Sequence, residues 1–198
     1  EGMDMGKVIA CVFCAMLALA PAAFADMTAD EIVAKANEAS YYQGKDGKAT
    51  AKMTITDAQG RIREREVTIL RLDAGGGLEQ KYYVYFHKPN DVRNMTYLVW
   101  KHAGKDDDRW LYLPALDLVR RVAASDKRSS FAGTTFLYED ISGRNPDEDI
   151  HELVGSGEDR YELKNTPKNP GSVEFAYYTL LVDKNNFIPV KAEYYDKG

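Results

Sequence analysis

The chain has 198 residues, 26 Lys or Arg against 31 Asp or Glu, and a formal net charge of −5. An acidic balance without aromatics interleaved along a basic stripe excludes a nucleic-acid-binding surface as the organising feature. Both cysteines, Cys11 and Cys14, lie near the N-terminus, and removing that region would leave no thiolate ligand, redox pair or cysteine nucleophile.

Residues 1–25 read as an export signal: Lys7, an apolar run from Val8 to Ala20, Pro21, and the A-x-A cleavage pattern Ala23-Phe24-Ala25. Cleavage would leave residues 26–198 as one exported domain beginning at Asp26. The alternative is a membrane anchor, against which the run falls short of the roughly 20 apolar residues that a spanning helix needs. Val8-Ile9-Ala10-Cys11 has the look of an acylation box but precedes most of the apolar run instead of following it.

Thr28-Ala29-Asp30-Glu31 is a capping box, and Ile32, Val33, Ala36 and Ala39 form one apolar stripe, so a helix of about three turns is expected to end near Tyr41-Tyr42. Beyond Gly44 the texture is that of strands separated by turn residues. Strands are expected at 49–56, 61–72, 81–86, 95–101, 110–113, 118–122, 160–164, 173–182 and 188–195. A short helix capped by Thr134 or Thr135 should run through Phe136, Leu137 and Ile141. Hairpin spacing leaves no room for helical crossovers, so the strands should form one antiparallel meander that curls. Asp196-Lys197-Gly198 resembles a turn awaiting a return strand, which predicts that the domain continues past this chain's last residue.

Candidates for chemistry are few. His87, His102 and His151 stand near strand ends at no metal-ligand spacing. Asp106-Asp107-Asp108 lacks the glycine and the later bidentate Glu of an EF-hand loop, and is expected to be a solvated hairpin tip. Gly75-Gly76-Gly77 reads as a turn rather than a phosphate loop, and Ser125, Ser129 and Ser130 have no nucleophile elbow around them. Neither a catalytic residue nor a cofactor is called for. Arg61, Arg63 and Arg65 share one face of a strand, either a strand end reaching into water or a headgroup or partner site. Arg120, Arg121, Lys127 and Arg128 form a second basic cluster, suited to an anionic headgroup or an acidic partner.

The aromatic content carries the ligand signal. Trp110-Leu111-Tyr112-Leu113 is apolar at both strand parities, so each sheet face needs a cover: the protein's own helices on one side, an apolar ligand on the other. Tyr83, Tyr97, Leu98, Trp100, Trp110, Tyr112, Leu113, Phe131, Phe136 and Tyr138 are the cavity candidates.

Three ordered motifs bear a family likeness: Lys88-Pro89-Asn90-Asp91-Val92-Arg93-Asn94, Arg109-Trp110-Leu111-Tyr112-Leu113-Pro114-Ala115-Leu116, and Ser130-Phe131-Ala132-Gly133-Thr134-Thr135-Phe136-Leu137-Tyr138-Glu139-Asp140-Ile141. By these the sequence resembles the outer-membrane lipoprotein-sorting-protein family of LolA-like periplasmic proteins. Asn94 stands where that family usually has Gly, and Thr134-Thr135 where Ser-Asp is usual. The resemblance implies a mainly β fold, an incomplete and strongly curved antiparallel half-barrel covered by a few helices, with an apolar cavity that holds a lipid or an acylated protein. It implies no catalysis, and a membrane partner such as an inner-membrane lipid-exporting transporter. Two functions follow from it: a carrier that sorts lipid or lipoprotein toward the outer membrane, or a sensor that binds lipid or peptide and signals to a membrane protein.

Overall fold

The computed structural model describes residues 27–75 and 79–198. The export signal and its cleavage point, with Gly76 and Gly77 of the glycine turn, lie outside the described residues.

Helix α1 spans Ala29–Asn37 and begins at the expected capping box: the Thr28 amide donates to Glu31 Oε2 at 2.8 Å and the Glu31 amide donates to Thr28 Oγ1 at 3.3 Å. Ile32, Val33 and Ala36 are its buried stripe. The chain then continues through a π-helical turn, Glu38–Tyr42, before the first strand.

Ten strands follow among the described residues, all paired antiparallel, so the mainly β expectation holds. They form two sheets instead of one curling meander. The first runs in chain order: β1 Asp46–Thr56, β2 Ile62–Asp73, β3 Gln80–Lys88, β4 Thr96–Lys101, β5 Asp108–Leu113 and β6 Leu118–Val122. The second has the order β10-β9-β8-β7, from β7 Asp149–Ser156, β8 Arg160–Pro167, β9 Phe175–Asp183 and β10 Pro189–Asp196. Neither sheet closes into a barrel. The division falls at residues 123–148, an irregular stretch in which no strand forms.

Each sheet has one covered face. On the first, Val67, Tyr82, Val84, Phe86, Tyr97, Val99, Leu111 and Val122 point inward and join Phe131 and Tyr138 in one core. The cover here is the irregular stretch itself. The expected helix at Thr134 does not form, because Thr134 Oγ1 accepts from the Phe136 amide at 3.1 Å and donates to the Phe131 carbonyl at 2.7 Å, closing a turn. A single 3-10 turn, Glu139–Ile141, is all the helix that follows. On the second sheet α1 is the cover: Ile32, Val33 and Ala36 pack on Leu163 and Val182. Ile32 is fully buried, and a side chain of that kind contributes about 1.5–3 kcal/mol when removed from water.

Asn94 adopts φ +66°, a conformation that Asn tolerates better than other side-chain-bearing residues, and its Oδ1 accepts from the Tyr85 hydroxyl at 2.6 Å. That accounts for Asn at a position where glycine is the usual solution.

Candidate functional site

The ten cavity candidates do not meet in one cavity; they divide between the two faces of the first sheet. Tyr97, Phe131 and Tyr138 are buried and mutually packed, with ring centroids 5.1–5.6 Å apart, and they fill the covered side. The Tyr97 hydroxyl donates to the Tyr138 carbonyl at 3.2 Å, and burial raises its pKa. Leu113 lies half-buried against this core, and Phe136 stands exposed on the loop above it. The other five share the opposite face, where Tyr83 pairs with Leu98 and Leu98 with Trp110 across three strands. Trp100 and Tyr83 are each 38 % exposed there, and Lys81 Nζ sits 4.4 Å above the Trp100 ring. Tyr112 donates to Asp117 at 3.1 Å. This face is an open aromatic wall, not a pocket.

The basic cluster also divides. Arg120 is exposed, and Arg121 reaches Asp108 in an ion pair. Lys127 and Arg128 are not free to meet a headgroup. Lys127 Nζ lies 3.0 Å from Glu139 and 2.8 Å from Glu148, while Arg128 holds Glu139 at 2.6 Å and also Glu174. Arg144 completes the network by binding Glu148 at 2.8 Å and Asp149 at 2.8 Å. Burial opposes ionisation of Glu139, yet Lys127, Arg144 and Arg128 outweigh it and hold the carboxyl below its ordinary pKa. These charges clasp the irregular stretch to the start of β7. The histidines are likewise engaged: His87 with Thr68, His102 with Asp108, and His151 with Asn165 and the Pro146 carbonyl. The acidic triplet is partnered rather than simply solvated, since Asp107 pairs with the buried Arg109 at 2.7 Å and Asp108 with His102 and Arg121.

The apolar concavity lies elsewhere, between α1 and the covered face of the second sheet. It encloses about 370 Å³, and its walls include Val33 and Ala36 from α1, Tyr41 from the π-helical turn, and Tyr178, Leu180, Ile188, Pro189, Ala192 and Tyr194 from β9, β10 and their link. That volume is within the roughly 300–1,000 Å³ range of ligand pockets. Tyr178 and Tyr194 stack at 5.3 Å, and Phe175 closes on both edge-on. One end is charged, where Arg128, Glu139 and Arg144 line the wall. The Tyr178 hydroxyl donates to Asp149 at 2.9 Å, and burial first, then the Asp149 carboxylate, push its pKa up. Burial likewise raises Tyr41. Three larger clefts are lined mostly by polar or charged residues: about 670 Å³ bordered by Asp30, Glu38, Asp147, Asp149 and Lys168, about 960 Å³ bordered by Arg63, Arg65, Lys88 and Arg93, and about 740 Å³ bordered by Lys105, Asp106, Lys127 and Lys168.

Of the ligand-binding and headgroup candidates read from the sequence, only Arg128 lines this cavity. The missed signal was the alternation of Tyr178, Leu180 and Val182 facing Ala192 and Tyr194, which assigns β9 and β10 a shared apolar face.

A family model described as "Uncharacterized protein" matches residues 78–198. No curated protein matches the chain. Among solved structures, a DUF1329 family protein from Desulfovibrio piger superposes with a TM-score of 0.76 at 29 % identity, covering 85 % of this chain and 72 % of that one. A domain described as an outer membrane lipoprotein-sorting protein, from Vibrio parahaemolyticus, gives a TM-score of 0.74 at 28 % identity, with the same 85 % and 72 % coverage. The likeness carried by the three sequence motifs is thus matched in three dimensions.

Proposed function

The chain belongs to the family whose model spans residues 78–198, and from that premise we propose that it is an exported, non-catalytic binding protein that holds the acyl or other apolar part of a lipid or lipoprotein. The observation that carries this reading is the cavity between α1 and the β9–β10 hairpin, where Val33, Ala36, Leu180, Ile188, Pro189 and Ala192 form an apolar stretch of wall and the rest of the lining is polar or charged. An acyl chain entering it gains about 0.8 kcal/mol per buried CH₂, so on the order of ten methylenes give roughly 8 kcal/mol before ordering costs. The charges at the cavity's end are already paired with one another, so chain burial sets affinity. Similarity to a lipoprotein-sorting protein domain supports the same class of cargo and a periplasmic site of action. A carrier of this kind would receive or deliver its cargo at a membrane partner, with a lipid-exporting transporter as the fitting class.

The test is displacement of a fluorescent fatty acid by unlabelled fatty acids and lysophospholipids of increasing length. Affinity should rise with chain length. Ala192→Phe, at an exposed position on the cavity wall, should block binding while the protein stays folded. Binding that is indifferent to chain length, or unchanged in that variant, would remove the support for an acyl cargo in this cavity.

A further inference from the structure

The strand end bearing Arg63 and Arg65 is not simply solvated. Arg65 is only 7 % exposed, sits across from Met53, and its Nε is buried without a hydrogen-bond partner. No ion pair engages its side chain among the described residues, in contrast to the buried Arg109, which holds Asp107 at 2.7 Å. A largely buried guanidinium whose Nε has no partner and which has no counter-charge is unfavourable, so a position like this one gains when an anion completes it.

The groove beside Arg65 has room for one. It encloses about 960 Å³ between the far end of β2 and the loop that leaves β3, with Arg63 and Arg93 on its walls. The neighbouring acids are largely spoken for, since Glu66 pairs with Lys88 at 3.0 Å and Glu64 with Lys52 at 2.9 Å. That leaves Arg63, Arg65 and Arg93 against Asp91, a local positive excess. Arg61, the remaining member of the basic strand, is taken by Asp57 at 2.7 Å.

We propose that this groove is an oxyanion site in which Arg65 takes a phosphate group through its planar fork of N–H donors, with Arg63 and Arg93 neutralising the remaining charge. Three guanidiniums around one anion suit phosphate better than a singly charged carboxylate, because paired N–H bonds from each fork match the tetrahedral oxygens. The phosphate is either free in solution or the headgroup of a lipid. The site is built on the first sheet and shares no lining residue with the acyl cavity, so the two stand or fall separately.

Isothermal titration calorimetry decides it, with inorganic phosphate in one arm and dihexanoyl phosphatidic acid below its micelle concentration in the other, against sodium chloride at matched ionic strength. The parent should bind at least one of them saturably. Arg65→Met should weaken that binding at least tenfold and, measured without ligand, should melt at a higher temperature than the parent, because an uncompensated charge has been removed. Arg93→Gln should weaken binding several-fold with an unchanged melt. Tighter binding of the phosphatidate identifies a headgroup, and equal binding identifies free phosphate. No saturable binding in either arm overturns the site, as does an Arg65→Met variant that binds like the parent or melts lower. Should that variant fail to fold, Arg65→Lys keeps the charge and loses the fork; weakened binding then supports the site and parental binding overturns it.

Discussion

Gly143 forms part of the cavity's wall and packs against another part of it, and replacing it separates two costs that usually arrive together. Its φ is +76°, and a Cβ placed there would lie 2.6 Å from Cζ and 2.7 Å from Cε2 of Tyr41. Its carbonyl also accepts from the buried Lys101 Nζ at 3.1 Å, so the loop cannot swing away without stranding that ammonium. Gly133 provides the control, with φ +70° and nothing within 4 Å of the same ideal Cβ. Gly133→Ala should cost only the backbone penalty for a left-handed L-residue, about 1–2 kcal/mol. Gly143→Ala adds an overpacking term of about 1–3 kcal/mol, for a total of roughly 2–5 kcal/mol. Urea unfolding of both variants, with equal m-values as the check on two-state behaviour, measures the difference. The acyl affinity of Gly143→Ala should fall as well, since Tyr41 forms the wall that must shift. Equal destabilisation in the two variants would refute the reasoning, because it would mean that the Tyr41 ring is not held against the loop.

The charge clasp predicts a pH dependence: the folded-state pKa of Glu139 lies below its unfolded value near 4.5, so its stabilisation is present above that pH and is lost as pH falls through the folded value. Thermal melts between neutral and acid pH should show the loss, and Glu139→Gln should flatten it. Asp149→Asn removes the fully buried carboxylate partner of Arg144 and leaves it the part-exposed Glu148, and unfolding should become easier by about 3–5 kcal/mol; a cost below 1 kcal/mol, on the scale of an exposed pair, contradicts the clasp. Because Trp100 and Trp110 lie on the open wall of the first sheet and not in the cavity, tryptophan emission should show no saturable shift on acyl binding. A saturable shift would place the chain on that wall.

What the sequence could reveal followed the periodicities. The capping box and the stripe Ile32, Val33, Ala36 fixed α1, and nine of the ten strands coincide with alternating or β-branched runs bounded by turn residues. Strand β7 escaped because its polarity is inverted: Asp149 and His151 turn inward to meet Arg144 and Asn165, while Ile150 and Val154 are more than half exposed. The helix expected near Thr134 failed because a Ser- or Thr-type side chain can cap a turn as readily as a helix. Apolar residues at both parities of β5 correctly signalled two apolar faces, but local pattern carries no information on which face a loop will fill. Phe131 and Tyr138, brought from some 20 residues downstream, filled one of them. The basic cluster misled for a related reason. Composition counts Lys127 and Arg128 as cations, whereas Glu139, Glu148 and Glu174 neutralise them from positions 11 to 46 residues away.

The central claim is that the cavity between α1 and the β9–β10 hairpin carries an apolar cargo, and native mass spectrometry of protein purified from its native source weighs that cargo directly. The account predicts a bound species of lipid or acylated-protein mass on the parent, released on denaturation, and its loss from a folded Ala192→Phe variant. A parent that emerges only in its ligand-free mass, or a variant that retains the same adduct, would contradict it.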